Sequence, residues 1–255
     1  MTDNDFFINN IKNNNQEFAG AHIRNATSND LIDLSEALTN NCYISRLSFN
    51  DTYFVDSIEI LFDIIDTKNI NLLTFCNCIF DCNIFQHFMD VLKNNTSITK
   101  LIFNDCELDD IKFRSLIDNL EENNSIMNLK ISSSNIKYDH DSILKLSNYI
   151  SKNPQLRKLY FIISTLCEND FKMIAESLVT NYTLKILHFV EIFWISYEKY
   201  SSINPYKDIS NKYFIEALEK NTTLEELEGF DVGNLLDPEV IASRRQIKKI
   251  KVCNC

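Results

Sequence analysis

Histidine and cysteine are the residue types that most often bind metals or catalyse reactions, and their spacing in this chain favours neither role. The histidines are His22, His87, His140 and His188. No two of them form a His-Glu-x-x-His pair, the helical spacing that holds a catalytic zinc ion. Asp139–His140–Asp141 falls in a predicted strand-to-helix loop, where it favours the start of the next helix.

The cysteines also indicate structural rather than chemical roles. They are Cys42, Cys76, Cys78, Cys82, Cys106, Cys167, Cys253 and Cys255. The sequence between positions 76 and 82 holds the one local cluster, and no Cys-x-x-Cys pair gives the usual zinc spacing. We therefore expect buried free thiols, with a redox role as the lesser alternative, and no metal site.

Glycine is too scarce for most nucleotide and hydrolase motifs. The chain has three glycines, Gly20, Gly229 and Gly233. A phosphate-binding loop, a dinucleotide fingerprint and a nucleophile elbow each need closely spaced glycines, and all three motifs are absent. The sequence thus predicts no cofactor and no enzymatic activity.

The charge argues against a nucleic-acid partner. The formal net charge is −11, whereas proteins that bind nucleic acids usually carry a basic stripe. One basic cluster is present near the end of the chain, at Arg244, Arg245, Lys248, Lys249 and Lys251. No stretch reaches the ~18 apolar residues of a membrane span, and no secretory signal begins the sequence. We expect a cytoplasmic protein, or one in a host cytoplasm if it is a delivered bacterial effector.

The strands and helices that would position any site are predicted from a repeated sequence motif, Asn-x-x-Leu-x-x-Leu-x-Phe, called the phrase below. Its central apolar residues include Leu47, Leu73, Leu101, Leu129, Leu159, Leu187 and Leu227. Leu-x-Phe is apolar at period two, which predicts a short strand, and the intervening segments have helical spacing. A strand and a helix in under about thirty residues cannot bury their apolar faces alone, so such units stack.

The phrase resembles the leucine-rich repeat, best matched by Ile98, Leu101, Phe103, Cys106 and Leu108. The repeat length is similar to that of the ribonuclease-inhibitor-like subclass. The resemblance implies an α/β solenoid, a horseshoe or arc with a parallel sheet on the concave face and helices on the convex face.

The resemblance also implies that one side chain after each strand bonds to backbone in the turn. This turn position holds Thr52, Cys78, Cys106, Ser134, Ser164 and Cys255, whereas Ile192 and Val232 depart from the pattern. Asparagines such as Asn95 and Asn123 end the predicted helices, and we expect them to do so because Asn tolerates a left-handed backbone.

We predict an N-terminal capping helix over residues 1–14 and a single domain of about nine repeats over residues 15–255. One step is anomalous, because Leu187 and Leu227 are 40 residues apart, while the earlier steps are 26 to 30 residues and the step from Leu227 to Ile250 is 23. The excess is an insertion at 195–211, which carries Tyr197, Tyr200 and Tyr206.

The register also predicts the concave face. In early repeats it is polar and mildly basic, and in later repeats it is apolar and aromatic. The predicted partner-binding residues are Tyr160, Ile162, Ile186, His188, Val190, Glu228 and Phe230, with Tyr197, Tyr200 and Tyr206 of the insertion. Exposed aromatic residues favour a protein contact, although strand propensity alone also explains apolar residues here. The insertion either binds the partner or covers the apolar strip.

Three functions follow as hypotheses. The first is a non-catalytic protein–protein interaction module, an adaptor or a secreted effector. The second is suggested by the family resemblance, since some ribonuclease-inhibitor-like repeat proteins activate small GTPases, and Arg24 could serve as an arginine finger. The third is self-association through Ile250–Val252, the last predicted strand, which leaves an open edge.

Overall fold

The computed structural model describes residues 2–55, 58–133, 138–163, 166–191, 207–228 and 249–251. The chain divides into two compact units, Met1–Lys130 and Ile131–Cys255. In both units strands and helices alternate along the chain and the strands are parallel, which confirms the α/β class.

In the first unit a parallel sheet runs in chain order beside five helices. Its strands are β1 (Gly20–Arg24), β2 (Arg46–Asn50), β4 (Leu72–Cys76) and β6 (Lys100–Asn104). The helices are α1 (Asp3–Lys12), α2 (Ser28–Thr39), α3 (Glu59–Thr67), α4 (Cys82–Asn94) and α5 (Asp110–Glu122). Two short strands, β3 (Tyr53–Phe54) and β5 (Ile79–Phe80), pair with each other. The pairing aligns Ala21, Leu47, Leu73 and Leu101, as the repeat register predicts.

Strand β7 (Asn128–Ser132) begins in the first unit and ends in the second. The other strands of the second unit are β8 (Lys158–Ile163), β9 (Ile186–Glu191), β10 (Glu226–Glu228) and β11 (Lys249–Lys251). Its helices are α6 (His140–Lys152), α7 (Glu168–Thr180) and α8 (Lys207–Lys220). From β8 onward the pairing is parallel and aligns Leu159, Leu187, Leu227 and Ile250.

Phenylalanine at the same strand position forms a continuous core layer in the first unit. The ring centroids of Phe49 and Phe75 are 5.6 Å apart, and those of Phe75 and Phe103 are 5.3 Å apart, with both pairs stacked. All three side chains are fully buried. Burying a side chain of this size contributes about 1.5–3 kcal/mol to folding stability. The apolar residues at every second strand position therefore stabilise the core-facing side of the sheet.

The helix-ending asparagines work by a different mechanism from the predicted one. Asn95, Asn123 and Asn153 have φ of −66°, −77° and −71°, so the prediction of a left-handed backbone there was wrong. Positive φ occurs instead just after strands, at Asn25, Asp51, Asn77 and Asp105, and also at Asn14.

These asparagines end the helices through buried side-chain amides, whose oxygen accepts from backbone N–H groups two and three residues ahead. Asn123 Oδ1 accepts hydrogen bonds from the backbone N–H groups of Ser125 and Ile126, each at 2.9 Å. Its Nδ2 donates to the carbonyls of Leu92 (2.7 Å) and Asn95 (2.9 Å), one repeat earlier. The Asn123 amide therefore ties its turn to the preceding repeat and satisfies backbone groups that helix and strand leave open, and Asn181 and Asn221 donate to preceding-repeat carbonyls in the same way.

The turn position after the strand behaves as the family resemblance implies wherever the structure describes it. Cys78 Sγ lies 3.4 Å from the carbonyl oxygens of Phe49 and Cys76. Cys106 Sγ makes the equivalent contacts at 3.5 Å, and Thr52 Oγ1 donates to Asn50 O at 3.0 Å. Five further turn positions lie outside the described residues: Ser134, Ser164, Ile192, Val232 and Cys255.

Helix α1 covers the first strand of the sheet. A capping box between Thr2 and Asp5 begins the helix. Asn4, the second residue of the helix, donates from Nδ2 to Arg24 O (2.9 Å) and accepts from Arg24 N–H at Oδ1 (3.0 Å). The side chain thus pairs with the edge of β1 as a neighbouring strand would.

The later part of the chain leaves two predictions open. Residues 207–211 of the predicted insertion belong to α8, whereas 195–206 lie outside the described residues. The single-domain organisation with nine repeats stays a prediction. Within the described ranges, none of the helices combines the length and apolar character needed to span a bilayer.

Candidate functional site

Strand residues that alternate with the core residues form the strand face, the side of the sheet that carries no core layer. In the second unit Tyr160 and Ile162 of β8, and Ile186 and His188 of β9, are half-buried on this face. The register places Tyr160 beside His188 and Lys158 beside Ile186. The structure therefore brings together the described part of the predicted partner-binding set.

A fixed aromatic–acidic contact lies at the centre of this strand face. The rings of Tyr160 and His188 meet edge to face, with centroids 4.4 Å apart. His188 Nε2 lies 3.1 Å from Glu226 Oε1 on the next strand. The His188 and Glu226 side chains are only 14% and 21% exposed. Partial burial strengthens such a charge-assisted hydrogen bond, so the imidazole is held in one orientation.

Several predicted members of this set cannot be placed. Tyr197, Tyr200, Tyr206 and Phe230 lie outside the described residues. Val190 and Glu228 are at strand-face positions of β9 and β10 by backbone register, and their side chains are outside the description. These six residues stay predictions.

The strand face of the first unit has a different chemical character. Arg24, Arg46 and Lys100 are exposed there. The strand-face positions of β1, β2, β4 and β6 include no acidic residue. The turns that follow these strands carry Asp51 and Asp105 instead. This face is therefore polar and mildly basic, as the register predicts.

Arg24 lines a surface cavity of about 400 Å³ with Asp3, Phe6, Phe7 and His22. The backbone of Arg24 is fixed by Asn4, as described above, while its side chain is exposed. This places one cation on a defined edge of the first unit, next to the carboxylate of Asp3.

The second unit contains a grouping of metal-ligand type that the sequence analysis missed. Ligand atoms of His140, Cys167 and Asp170 all lie within 4.8 Å of one another. His140 Nδ1 is 3.0 Å from Asp170 Oδ1, and Cys167 N–H donates to Asp170 Oδ2 at 2.9 Å. Burial, and then the hydrogen bond with Asp170, raise the pKa of the Cys167 thiol.

A signal for this grouping was present in the repeat register. The N-cap residues of α6 and α7 are Asp139 and Cys167, which are one repeat of 28 residues apart. Aligning helix starts, rather than strands alone, would have placed His140 next to Cys167. The cysteine cluster at 76–82 does not form such a grouping, because Cys78 is buried in its turn position while Cys82 is exposed at the start of α4.

The sequence matches no protein-family model and none of the curated proteins with which it was compared. Two solved structures are similar in fold. One is leiomodin-1 actin-binding site 2, with a TM-score of 0.43, 18% identity, and coverage of 69% of this chain and 88% of that one. The other is the Caenorhabditis elegans tropomodulin C-terminal domain, with a TM-score of 0.43, 16% identity, and coverage of 71% and 94%. Similarity at this level assigns no partner to this chain.

Proposed function

We propose that this chain is a leucine-rich repeat solenoid of the ribonuclease-inhibitor-like subclass that acts as a non-catalytic protein-interaction module. The repeat phrase and its register support the family, and helices of 13 residues in four successive repeats support the subclass. The observation that carries the function is the half-buried Tyr160–His188–Glu226 contact on the strand face of the second unit.

Tyr160 has the properties of an interface anchor. Tyrosine offers a large apolar surface with few rotatable bonds, and residues of this type dominate binding energy at many interfaces. Contact with His188 already orders the two rings in the free protein. Binding a partner therefore costs less side-chain entropy of Tyr160 and His188. Ile162 and Ile186 extend the apolar surface, and Glu226 adds one oriented acceptor.

The test is capture of the binding partner from lysate of the source cells, followed by mass spectrometry. A Tyr160→Ala/Ile186→Asp variant removes the anchor and places a charge on the apolar strip. We expect at least a tenfold lower recovery of the captured protein, because interface anchors contribute about 2 kcal/mol or more. Thr74→Ala on the strand face of the first unit is the matched control. Equal recovery by a folded double variant contradicts the proposal.

The insertion at 195–211 and Phe230 form the second part of the proposed binding surface. Deleting residues 196–205 separates the two roles considered for the insertion. Loss of the partner with unchanged solubility supports direct binding. Retention of the partner with increased binding of an apolar dye supports a cover over the strip.

The proposed site of action is the cytoplasm, or a host cytoplasm if the chain is delivered there as an effector. A fluorescent fusion expressed in the source cell tests this placement. Signal confined to an organelle or to the medium contradicts it.

A second candidate function is GTPase activation through Arg24. The observation that favours it is an exposed guanidinium on a backbone that Asn4 holds by two hydrogen bonds. An arginine finger raises GTP hydrolysis about 10³–10⁵-fold, so Arg24→Ala would abolish the activation and Arg24→Lys would not restore it. No acceleration of hydrolysis across a panel of small GTPases contradicts this candidate.

A further inference from the structure

Two neighbouring helix starts in the second unit bring together a nitrogen, a sulfur and an oxygen donor. His140 is the first residue of α6, Cys167 is the N-cap of α7, and Asp170 is the third residue of α7. The His140 and Cys167 side chains face solvent, while the Asp170 side chain is 9% exposed. One ligand is therefore buried and two are accessible, which leaves an entry path from solvent.

We propose that His140 Nδ1, Cys167 Sγ and one carboxylate oxygen of Asp170 bind a divalent cation of the zinc class. Imidazole, thiolate and carboxylate are the donors that Zn²⁺ prefers in proteins. Bond lengths of about 2.0–2.3 Å place tetrahedral zinc ligands ~3.3–3.8 Å apart. The present spacing is 3.0 Å between His140 Nδ1 and Asp170 Oδ1 and at most 4.8 Å between any two ligand atoms, so the proposal requires side-chain adjustment on binding. The fourth position faces solvent and takes water.

Neighbouring groups already orient two of the ligands. The backbone N–H of Cys167 holds Asp170 Oδ2, so Oδ1 is the oxygen directed at His140. Asn169 Nδ2 lies 3.3 Å from His140 Nε2. A metal on Nδ1 requires a proton on Nε2, and a flipped Asn169 amide presents its oxygen to accept a hydrogen bond from that N–H. Such outer contacts fix the imidazole tautomer in most metal sites.

The other helix starts supply an internal comparison. Among the described helices, α1 and α2 also begin with a capping box, formed by Thr2 with Asp5 and by Thr27 with Asp30. Both boxes have a hydroxyl where α7 has a thiol. Helix capping alone favours Ser, Thr, Asp or Asn over Cys. The thiol at the α7 start is therefore a poor choice for capping and a good choice for binding zinc.

The competing interpretation is a capped helix with a His–Asp pair and no metal. A helix N-terminus disfavours a cation by about 0.3–1 kcal/mol. The thiolate and the carboxylate together carry two negative charges, which balance the metal charge. Substituting Cys167 by Ser separates the two interpretations, because Ser is the better N-cap and the poorer zinc ligand.

The experiment is a titration of the reduced full-length chain with Co²⁺, followed by displacement with Zn²⁺. Cobalt bound to a thiolate gives a charge-transfer absorption that binding through oxygen and nitrogen alone does not. The titration is run on the wild type and on a Cys253→Ser/Cys255→Ser background, because these two cysteines could bind cobalt independently. We expect one equivalent of cobalt on that background and release of it by zinc.

Three variants on the same background test the ligands. Cys167→Ser abolishes the charge-transfer absorption while leaving the unfolding midpoint of the metal-free protein equal or higher. His140→Gln weakens cobalt binding at least tenfold. Asn169→Ala weakens it about 10–100-fold, as expected for an outer contact. Matched controls are Cys82→Ser and His87→Gln, an exposed cysteine at another helix start and a histidine paired with Asp63.

Two outcomes overturn the proposal. One is an unchanged charge-transfer absorption in Cys167→Ser, which places the cobalt at other thiols. The other is the absence of any thiolate–cobalt absorption on the background that retains Cys167. In that case the cluster is a helix cap with a His–Asp pair.

Discussion

Replacing Asn123 by Ala tests whether the buried asparagine, rather than backbone conformation, ends each helix. Asn123 is 3% exposed, and its amide makes four hydrogen bonds to backbone groups of Ser125, Ile126, Leu92 and Asn95. Each bond contributes about 1 kcal/mol net, and an unpaired buried group costs about 1–3 kcal/mol. We therefore expect Asn123→Ala to lower the free energy of unfolding by roughly 3–5 kcal/mol.

The assay is urea unfolding followed by circular dichroism, with Asn124→Ala as the matched control. Asn124 is exposed and its side chain makes one longer contact, Nδ2 to Glu122 O at 3.3 Å. The control should change stability by less than about 0.5 kcal/mol. Asn123→Asp should be intermediate, because it keeps the oxygen that accepts from both N–H groups but loses the two N–H donors of the amide. A loss below about 1 kcal/mol for Asn123→Ala would refute the reasoning.

Three further predictions concern packing, ionisation and assembly. Phe75→Ala removes a fully buried ring stacked on both sides, so it should lower the free energy of unfolding by about 3–5 kcal/mol in the same assay. The hydrogen bond to Glu168 raises the pKa of Tyr213, so in an ultraviolet titration this phenol should ionise at a higher pH in the wild type than in Glu168→Gln. Because folding raises this pKa, the Tyr213–Glu168 hydrogen bond contributes to the stability of the folded state at neutral pH. That contribution is lost as the pH rises through the folded-state pKa. If β11 pairs between copies, light scattering at high concentration should give a dimer mass, and a monomer mass excludes that pairing.

The strands and their register were predictable because they depend on local periodicity. Leu101 and Phe103 alternate with residues of the other sheet face, and each copy of the phrase repeats that spacing. One alignment therefore predicts the successive pairings among β1, β2, β4 and β6 and among β8, β9, β10 and β11, although not the β3–β5 pair. The turn contacts of Cys78 and Cys106 followed from the same alignment together with the family resemblance.

Contacts between helix starts were harder to predict because no local pattern encodes them. Dihedral preference suggested a left-handed Asn95, yet its amide is satisfied by groups two and three residues ahead and by Asp66 in the repeat before. His140 and Asp170 are 30 residues apart, and Tyr213 and Glu168 are 45 apart. Such pairs require the helices to be aligned as well as the strands.

The proposed metal site and the insertion of the proposed binding surface both belong to strand-to-helix connections of the second unit. In a parallel sheet every strand-to-helix connection leaves from the carboxyl ends of the strands, where α/β proteins commonly bind ligands. The connection from β8 to α7 carries Cys167, and that from β9 to α8 spans residues 192–206. Tyr213, in the middle of α8, also donates to Glu168 Oε1 at 2.8 Å, which joins α8 to the start of α7.

A metal that orders the start of α7 should therefore strengthen partner capture through the neighbouring connection. We expect zinc to increase partner recovery by the wild type and to have no effect on Cys167→Ser. Tyr160→Ala should lower recovery with or without zinc, because it removes the anchor itself. Equal partner recovery by the wild type with zinc and with a chelator would show that metal binding and partner binding are independent. The metal would then stabilise the α6 and α7 helix starts alone, an effect that a zinc-dependent unfolding midpoint measures independently of any partner.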